Sequence, residues 1–271
     1  MKKTGWMIRT ATATGIWISM PEWSDTAVIL SVRPFGENKG VVNLLTAERG
    51  RHAGLVHGFD SRTKKGIYEP GNTVAVEWRA RLSEQLGTFQ MELVKNPSAV
   101  FLDLPIRLAG LSSLCAILDI GLPEREPFGA VWQSTVALIE IISLAEDDKA
   151  WLGYYIRWEA ELLRALGFGL GLDNCAVSGR SDHLVYVSPK TGNAIHKDHA
   201  GDYADRMLVL PAFLSAHSPS TGEEISAQAL DSGLHLTGHF LKRRLFELLD
   251  KDLPQPRLRL AHLVAKRYKN T

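Results

Sequence analysis

Residues 22–37 read EWSDTAVILSVRPFGE, and residues 41–58 read VVNLLTAERGRHAGLVHG. This stretch decides the fold of the N-terminal part of the chain, because it holds three short β-rich runs with apolar residues at alternate positions. Turns that contain glycine separate the runs, and arginine and histidine are interleaved among them. The pattern predicts a small curved sheet that carries groups able to bind phosphates and bases.

Two more strands are predicted further along. Residues 73–81 show the clearest alternation, with Val74, Val76 and Trp78 on one face and Glu77 and Arg79 on the other. A turn at residues 69–72 precedes this run, and another run at 86–94 ends shortly before a proline. Five short strands in such a short stretch favour a closed barrel, and the OB-fold is the commonest small barrel that binds single strands.

Beyond residue 97 the apolar period changes from two to about 3.6, which predicts helices. They are expected at residues 104–118, 131–144, 151–166, 226–236 and 238–249, whereas residues 172–210 read as turns. The predicted class is therefore α+β. An N-terminal OB-fold β-barrel (20–97) precedes an α-helical domain (98–271) with an irregular loop insertion (172–207). Residues 1–19 are interpreted as a disordered extension or a misassigned start.

Composition limits the function classes. The formal net charge is +1, so a site for a polyanion requires uneven placement of charge, and residues 242–269 are indeed basic. Only Cys115 and Cys175 are present, which excludes a disulfide framework and a four-cysteine metal site. This cysteine usage favours the cytoplasm. We expect neither a signal peptide nor a membrane span, because no sufficiently long apolar run occurs.

Basic residues concentrate in the predicted barrel. They can neutralise phosphates without sequence preference, although a merely solvated basic face is an equally good interpretation of charge alone. Phe35 and Phe59 are candidate stacking platforms, while Trp78 is expected in the core. Arg79 and Arg81 are expected to form a second row that completes a groove. The candidate nucleic-acid-binding residues are Arg33, Arg49, Arg51, His57, Arg62, Lys64, Lys65, Arg79 and Arg81.

The opening stretch resembles the N-terminal part of the bacterial recombination mediator family RecO. The resemblance extends over residues 158–192, which include WEAELLRALGF, LDNCAVSG and YVSPKTG. In many members the corresponding loop holds two cysteine pairs that bind zinc in a tetrahedral site. Here Cys175 matches the first position, but Ser178 replaces the second cysteine and none follows residue 192. The resemblance therefore implies a zinc-less loop, whose shape must rest on hydrogen bonds and packing.

The resemblance also implies a function and partners. Such a protein binds single- and double-stranded DNA, anneals strands, works with RecR, and helps RecA replace single-strand DNA-binding protein in the nucleoid. The family binds the acidic tail of single-strand DNA-binding protein through its helical domain. A cationic helix beside an apolar stripe suits such a tail, although an ordinary amphipathic helix is the simpler interpretation. The candidate partner-binding residues are Phe240, Leu241, Lys242, Arg243 and Arg244.

No catalytic residue, cofactor or metal ligand is predicted. The sequence lacks the nucleophile elbow, the phosphate-binding loop and the dinucleotide fingerprint, which lowers the probability of an enzyme. His196 with His199, and His235 with His239, have spacings that could suit a metal, but solvated or capping histidines are the simpler interpretation. Two alternatives stay open, namely an RNA-binding OB module and a non-catalytic protein adaptor.

Overall fold

The computed structural model describes residues 21–59, 61, 66–215 and 225–268. The expectation of disorder for residues 1–19 concerns residues outside these ranges. Five strands form the N-terminal part, and they close into a barrel in the order β1-β2-β3-β5-β4. Their bounds are β1 Glu22–Pro34, β2 Lys39–Thr46, β3 Gly50–His57, β4 Thr73–Arg79 and β5 Thr88–Lys95. The structure confirms the predicted OB-type barrel.

Antiparallel pairing accounts for most of the barrel, and a single parallel contact between Leu55 and Thr88 joins β3 to β5. The period-two reading of β4 is correct, because Val74, Val76 and Trp78 are buried while Glu77 and Arg79 are exposed. The side chains that point inwards are large and apolar, which is how a small barrel fills its interior. Burying each of them stabilises the fold by roughly 1.5–3 kcal/mol.

One outer side of the barrel is also buried. Val28 and Leu30 of β1 and Leu45 of β2 face away from the barrel interior and belong to the core of the helical part. Their neighbours Ile29 and Leu44 belong to the barrel core. The continuous apolar run in β1 thus serves two cores at once, which joins the barrel firmly to the helices.

The described residues that follow the barrel include six α-helices. They are α1 Pro97–Val100, α2 Pro105–Gly121, α3 Gly129–Leu144, α4 Asp148–Ala165, α5 Ala227–Phe240 and α6 Gln255–Tyr268. The side chains of Asp147 and Ser226 accept hydrogen bonds from main-chain N–H groups in the first turns of α4 and α5. No helix within the described ranges is both long enough and apolar enough to cross a membrane.

The chain after α5 differs from the sequence-based expectation. Instead of two helices at 226–236 and 238–249, α5 continues directly into a π-helical segment, Leu241–Phe246, and a short 3-10 turn, Glu247–Leu249. Asp250 ends this run in the left-handed conformation, with φ of 54°. The basic residues that follow, for which the sequence pattern predicts no helix, form α6.

The loop insertion is more regular than predicted. Strands β6 Leu184–Val187, β7 Ala194–His196 and β8 Leu208–Val209 form a three-stranded sheet in the order β7-β6-β8. At Cys175, the sulfur accepts a hydrogen bond from the main-chain N–H of His196 at 3.3 Å. The main-chain N–H of Cys175 donates to the carbonyl oxygen of Arg180 at 2.7 Å. Hydrogen bonds of this kind hold the turn that follows Cys175.

A buried ion pair positions the last helix. Arg257 of α6 and Glu159 of α4 are 1% and 0% exposed, and their side chains make two hydrogen bonds, one of them 2.9 Å long. Arg257 also donates to the carbonyl oxygen of Leu234 in α5 at 2.7 Å. Glu159 accepts further hydrogen bonds from Tyr155 and Thr237. Three helices therefore meet at one compensated charge pair.

Candidate nucleic-acid interface

One end of the barrel carries an exposed basic surface. Cross-strand pairing places Arg33 beside Val41 and Lys39 beside His57, so these side chains project from the same outer face of β1, β2 and β3. The side chain of Arg33 is 72% exposed, and Lys39 and His57 are also exposed. Phe35, which is 55% exposed, lies in the turn between β1 and β2, where its N–H donates to the carbonyl oxygen of Lys39 at 2.9 Å. We call Arg33, Phe35, Lys39 and His57 the hairpin surface.

The charge of the hairpin surface is only partly compensated. The carboxylate of Asp119, in α2, lies 3.9 Å from the guanidinium of Arg33, and Glu37 is exposed in the turn itself. Lys39 and His57 have no carboxylate within 4.0 Å among the residues that the structure describes. The predicted binding residues Arg62, Lys64 and Lys65 follow His57 in the sequence and lie outside the described residues. This end of the barrel can therefore attract an anionic backbone.

Arg49, Arg51 and Arg81 lie away from the hairpin surface, towards the opposite end of β1, β2 and β4. An eight-residue strand such as β2 is about 25 Å long, so one phosphate cannot touch both ends of it. Arg49 and Arg81 are exposed. Arg51 is half-buried, and its Nε donates to the carbonyl oxygen of Leu122 at 2.8 Å. Arg51 therefore joins β3 to the residue that follows α2. The guanidinium of Arg125 makes a similar link, because it donates to main-chain oxygens of the loop after β4, including that of Ser83 at 2.6 Å.

Carboxylates flank Arg79, one member of the predicted second row on β4. The guanidinium of Arg79 lies 3.3 Å from the carboxylates of both Glu22 and Glu77. Pairing between β4 and β5 adds Glu92 to the same outer face, next to Ala75. The register of the strands therefore places two carboxylates beside Arg79 that compensate its charge, whereas Arg81 is exposed beyond the end of β4.

Most aromatic side chains of the barrel are structural. Trp23 stacks on Trp78 with ring centroids 5.7 Å apart, and His52 contacts both rings edge-on. Burial lowers the pKa of His52 below its usual value, so this ring does not add a positive charge near neutral pH. Phe59 is half-buried with its ring 6.1 Å from that of Tyr68, which makes it a poorer platform than expected. Phe35 is the aromatic that projects into solvent beside basic groups.

The predicted partner-binding stripe is wrong for its apolar members. Phe240 and Leu241 are 0% exposed and belong to the core, so a partner has no access to them. The guanidinium of Arg244 lies 4.7 Å from the ring centroid of Phe240 and donates to the carbonyl oxygen of Phe168 at 3.0 Å. Lys242 and Arg243 are exposed. Helical spacing correctly grouped the apolar residues on one side, but that side faces inwards.

The two histidine pairs that could suit a metal each include a histidine whose ring is hydrogen-bonded to the main chain. His196 is buried, and its Nδ1 accepts a hydrogen bond from the N–H of Asp198 at 3.1 Å. The Nε2 of His239 lies 3.0 Å from the carbonyl oxygen of Pro189. His199 and His235 are exposed. Hydrogen bonds thus involve one ring nitrogen of His196 and one of His239, whereas the Nε2 of His196 is buried and has no hydrogen-bond partner among the described residues.

Sequence reasoning missed Lys39 as a site residue. The register of the β2–β3 hairpin identifies Lys39, because it places this residue directly opposite His57. The exposed cations of α6 belong to the basic segment 242–269, and the sequence pattern does not show that they share a helix. Both omissions concern residues whose neighbours depend on pairing or packing.

Comparison with known proteins gives the same division of the chain as the fold. Residues 20–97 match the family model "Recombination protein O N terminal", and residues 104–252 match "Recombination protein O C terminal". The chain is 46% identical over 240 residues to DNA repair protein RecO of Rhodospirillum centenum, covering 88% of this chain and 92% of that protein. It is 42% identical over 248 residues to DNA repair protein RecO of Cereibacter sphaeroides, covering 91% and 100%. The protein of the same name from Hyphomonas neptunium is 41% identical over 240 residues, covering 88% and 96%.

Proposed function

Because the chain belongs to the recombination protein O family, and hence has a role in DNA repair and recombination, we propose that it is a mediator that binds DNA without reading its sequence. It binds single and double strands and anneals complementary ones in the nucleoid, and it makes or breaks no bond. With RecR it assists RecA in replacing single-strand DNA-binding protein. The hairpin surface is the observation that carries this proposal.

The mechanism is charge neutralisation at the hairpin surface. Arg33, Lys39 and His57 face solvent on one end of the barrel, and each phosphate that they contact releases condensed counterions. Phe35 offers a π-face on which an unpaired base can stack, and such contacts tolerate any base. Hydrogen bonds to base edges are not needed, which suits a protein that acts at gaps of any sequence. Neutralised strands repel each other less, so complementary strands can pair.

Partner capture is assigned to the helical domain. Lys242 and Arg243 are exposed on the π-helical segment, and Leu248 and Leu249 project nearby at 69% and 43% exposure. Cations beside accessible leucines fit an acidic peptide that ends in an apolar residue, such as the tail of single-strand DNA-binding protein. This surface replaces the buried Phe240 and Leu241 as the place where such a tail binds.

A salt titration tests the DNA-binding proposal. The variant R33E/K39E and a control K197E/R206E change the net charge equally, and the control residues are exposed near the three-stranded sheet. Binding of a labelled single-stranded oligonucleotide is measured by fluorescence anisotropy at several salt concentrations. Loss of two phosphate contacts should reduce the slope of log K against log salt by about 1.4, since each contact contributes about 0.7 on single strands. The control should keep the slope of the unaltered protein.

Two results would contradict the proposal. An unchanged slope in R33E/K39E would exclude the hairpin surface, and a reduced slope in R49E/R81E would place the binding surface at the opposite end of the barrel. An RNA oligonucleotide of the same sequence is titrated in parallel. Tighter binding of the RNA would favour an RNA-binding module over a repair protein.

A further inference from the structure

Helix α6 has two chemically opposite faces. Its inner face contains Arg257, Leu260 and Val264, which are 0–1% exposed. The outer face is exposed. Four of its residues are spaced by four, three and four positions, which places them in one line along the helix. These residues are Gln255, Arg259, His262 and Lys266.

The outer face is basic and lacks compensating charges. Residues 255–268 contain no aspartate or glutamate. No carboxylate lies within 4.0 Å of the cationic groups of Arg259 and Lys266 in the described part of the chain. Two acidic residues that contact or act on α6 do so at other residues of the helix. Asp231 lines a cleft on the side of Val264, and Asp148 near the end of α6 is already paired with Arg107 at 3.1 Å.

The packing of α6 places the beginning of this helix on the side of the hairpin surface. Asp148 acts electrostatically on Tyr268, the last residue of α6, and it pairs with Arg107 in the first turn of α2. The end of α6 therefore meets the beginning of α2, and the two packed helices run antiparallel. The beginning of α6 accordingly lies towards Asp119, near the end of α2, which contacts Arg33 of the hairpin surface.

We propose that the outer face of α6, formed by Gln255, Arg259, His262 and Lys266, binds the phosphate backbone of a second polynucleotide segment. This inference rests on the proposed function and adds a second contact row to it. Arg259 and Lys266 are about 10 Å apart along the helix axis, at 1.5 Å per residue. That length corresponds to about three phosphates of one duplex strand at 3.4 Å each. With one strand on the barrel and another on α6, complementary strands are held close together.

The chemistry of this face favours a nucleic acid over an acidic peptide. The four residues of this line are all polar. Leu258, which is 45% exposed, lies at the margin of the face, but one leucine on a helix surface is not the cavity that a peptide with an apolar end requires. Phosphate contacts need only cations and hydrogen-bond donors, which Arg259, His262, Lys266 and Gln255 supply. The acidic tail is assigned to the surface around Lys242, so the two ligands do not compete for one face.

The test compares annealing with simple binding. The full-length variants R259E/K266E and R259Q/K266Q are compared with the control K197E/R206E, and their unfolding midpoints verify that they fold. Annealing of two labelled complementary strands is followed by energy transfer between the labels. We expect the annealing rate of R259E/K266E to fall at least about tenfold and its duplex salt slope to fall by about 1.8, at about 0.9 per contact. Single-strand affinity should change less than about threefold, since the hairpin surface is intact.

The outcomes are distinct for the two proposals. Normal annealing in R259E/K266E, or an equal loss in the control, would overturn the role of α6. Loss of binding to a synthetic acidic C-terminal peptide with normal annealing would assign α6 to a protein partner and would also overturn it. Failure of the unaltered protein to bind any oligonucleotide would instead refute the proposed function itself. Intermediate annealing in R259Q/K266Q, between the unaltered protein and the charge-reversed variant, supports direct phosphate contacts.

Discussion

The buried pair of Arg257 and Glu159 should be one of the most sensitive points of the helical part. The substitution Arg257→Met removes the one cation that contacts Glu159 within the described ranges, and Glu159 itself is 0% exposed. Tyr155 and Thr237 still donate to the carboxylate, but they do not compensate its charge. Breaking a fully buried ion pair costs about 3–5 kcal/mol, because an uncompensated charge is left in the core. At about 2–4 °C per kcal/mol, the melting temperature should fall by about 6–20 °C.

A double-mutant cycle measures this coupling. The free energy of unfolding is obtained in urea for Arg257→Met, Glu159→Leu and the double variant. The double variant should be more stable than Arg257→Met, since it buries no charge. Its two hydroxyl donors keep other partners, because Tyr155 lies 2.6 Å from the hydroxyl of Ser113 and Thr237 donates to a main-chain oxygen at 3.0 Å.

An exposed pair provides the control for this cycle. Arg164 and Glu161 are 73% and 53% exposed, so Arg164→Met should cost less than about 1 kcal/mol. Arg257 and Glu159 would not form a stabilising buried pair if Arg257→Met also cost less than about 1 kcal/mol. The same would follow if the free energy of unfolding lost by the double variant equalled the sum of the losses in the two single variants.

Three other outcomes are expected. Burial lowers the pKa of His52, so the unfolded state takes up its proton first and stability falls as the pH drops below about 6.5. Between pH 7.5 and 5.5, the free energy of unfolding measured in urea should fall less in His52→Phe than in the unaltered protein. Gly50→Ala should cost more than about 2 kcal/mol, because φ is 66° and a Cβ would lie 1.9 Å from a main-chain oxygen, whereas Gly129→Ala has open space and serves as control. Arg51→Met should cost about 1.5–3 kcal/mol through its lost hydrogen bond. Its salt slope for single-stranded DNA should stay unchanged, and a reduced slope would show that Arg51 contacts phosphate.

Local patterns predicted the barrel well. The alternation in β4 identified Val76 and Trp78 as core residues, and the change of period beyond residue 97 separated barrel from helices. The small sheet escaped notice because its strands have only two to four residues, which is too short for a period to emerge. The helix α6 escaped notice because its inner face includes Arg257, a charged residue that reads as surface until its partner Glu159 is known.

The sequence by itself determined which residues share a face, because side-chain direction along a strand or helix follows from backbone geometry alone. Only the tertiary structure decided which face is covered and which charges meet. Phe240 and Leu241 share a side as predicted, but packing turns that side into the core. Arg79 alternates outwards as predicted, but strand register places carboxylates beside it. Arg33 has a carboxylate only at 3.9 Å, and no described carboxylate lies within 4.0 Å of Lys39. Burial and charge compensation depend on residues distant in the chain, which no local pattern contains.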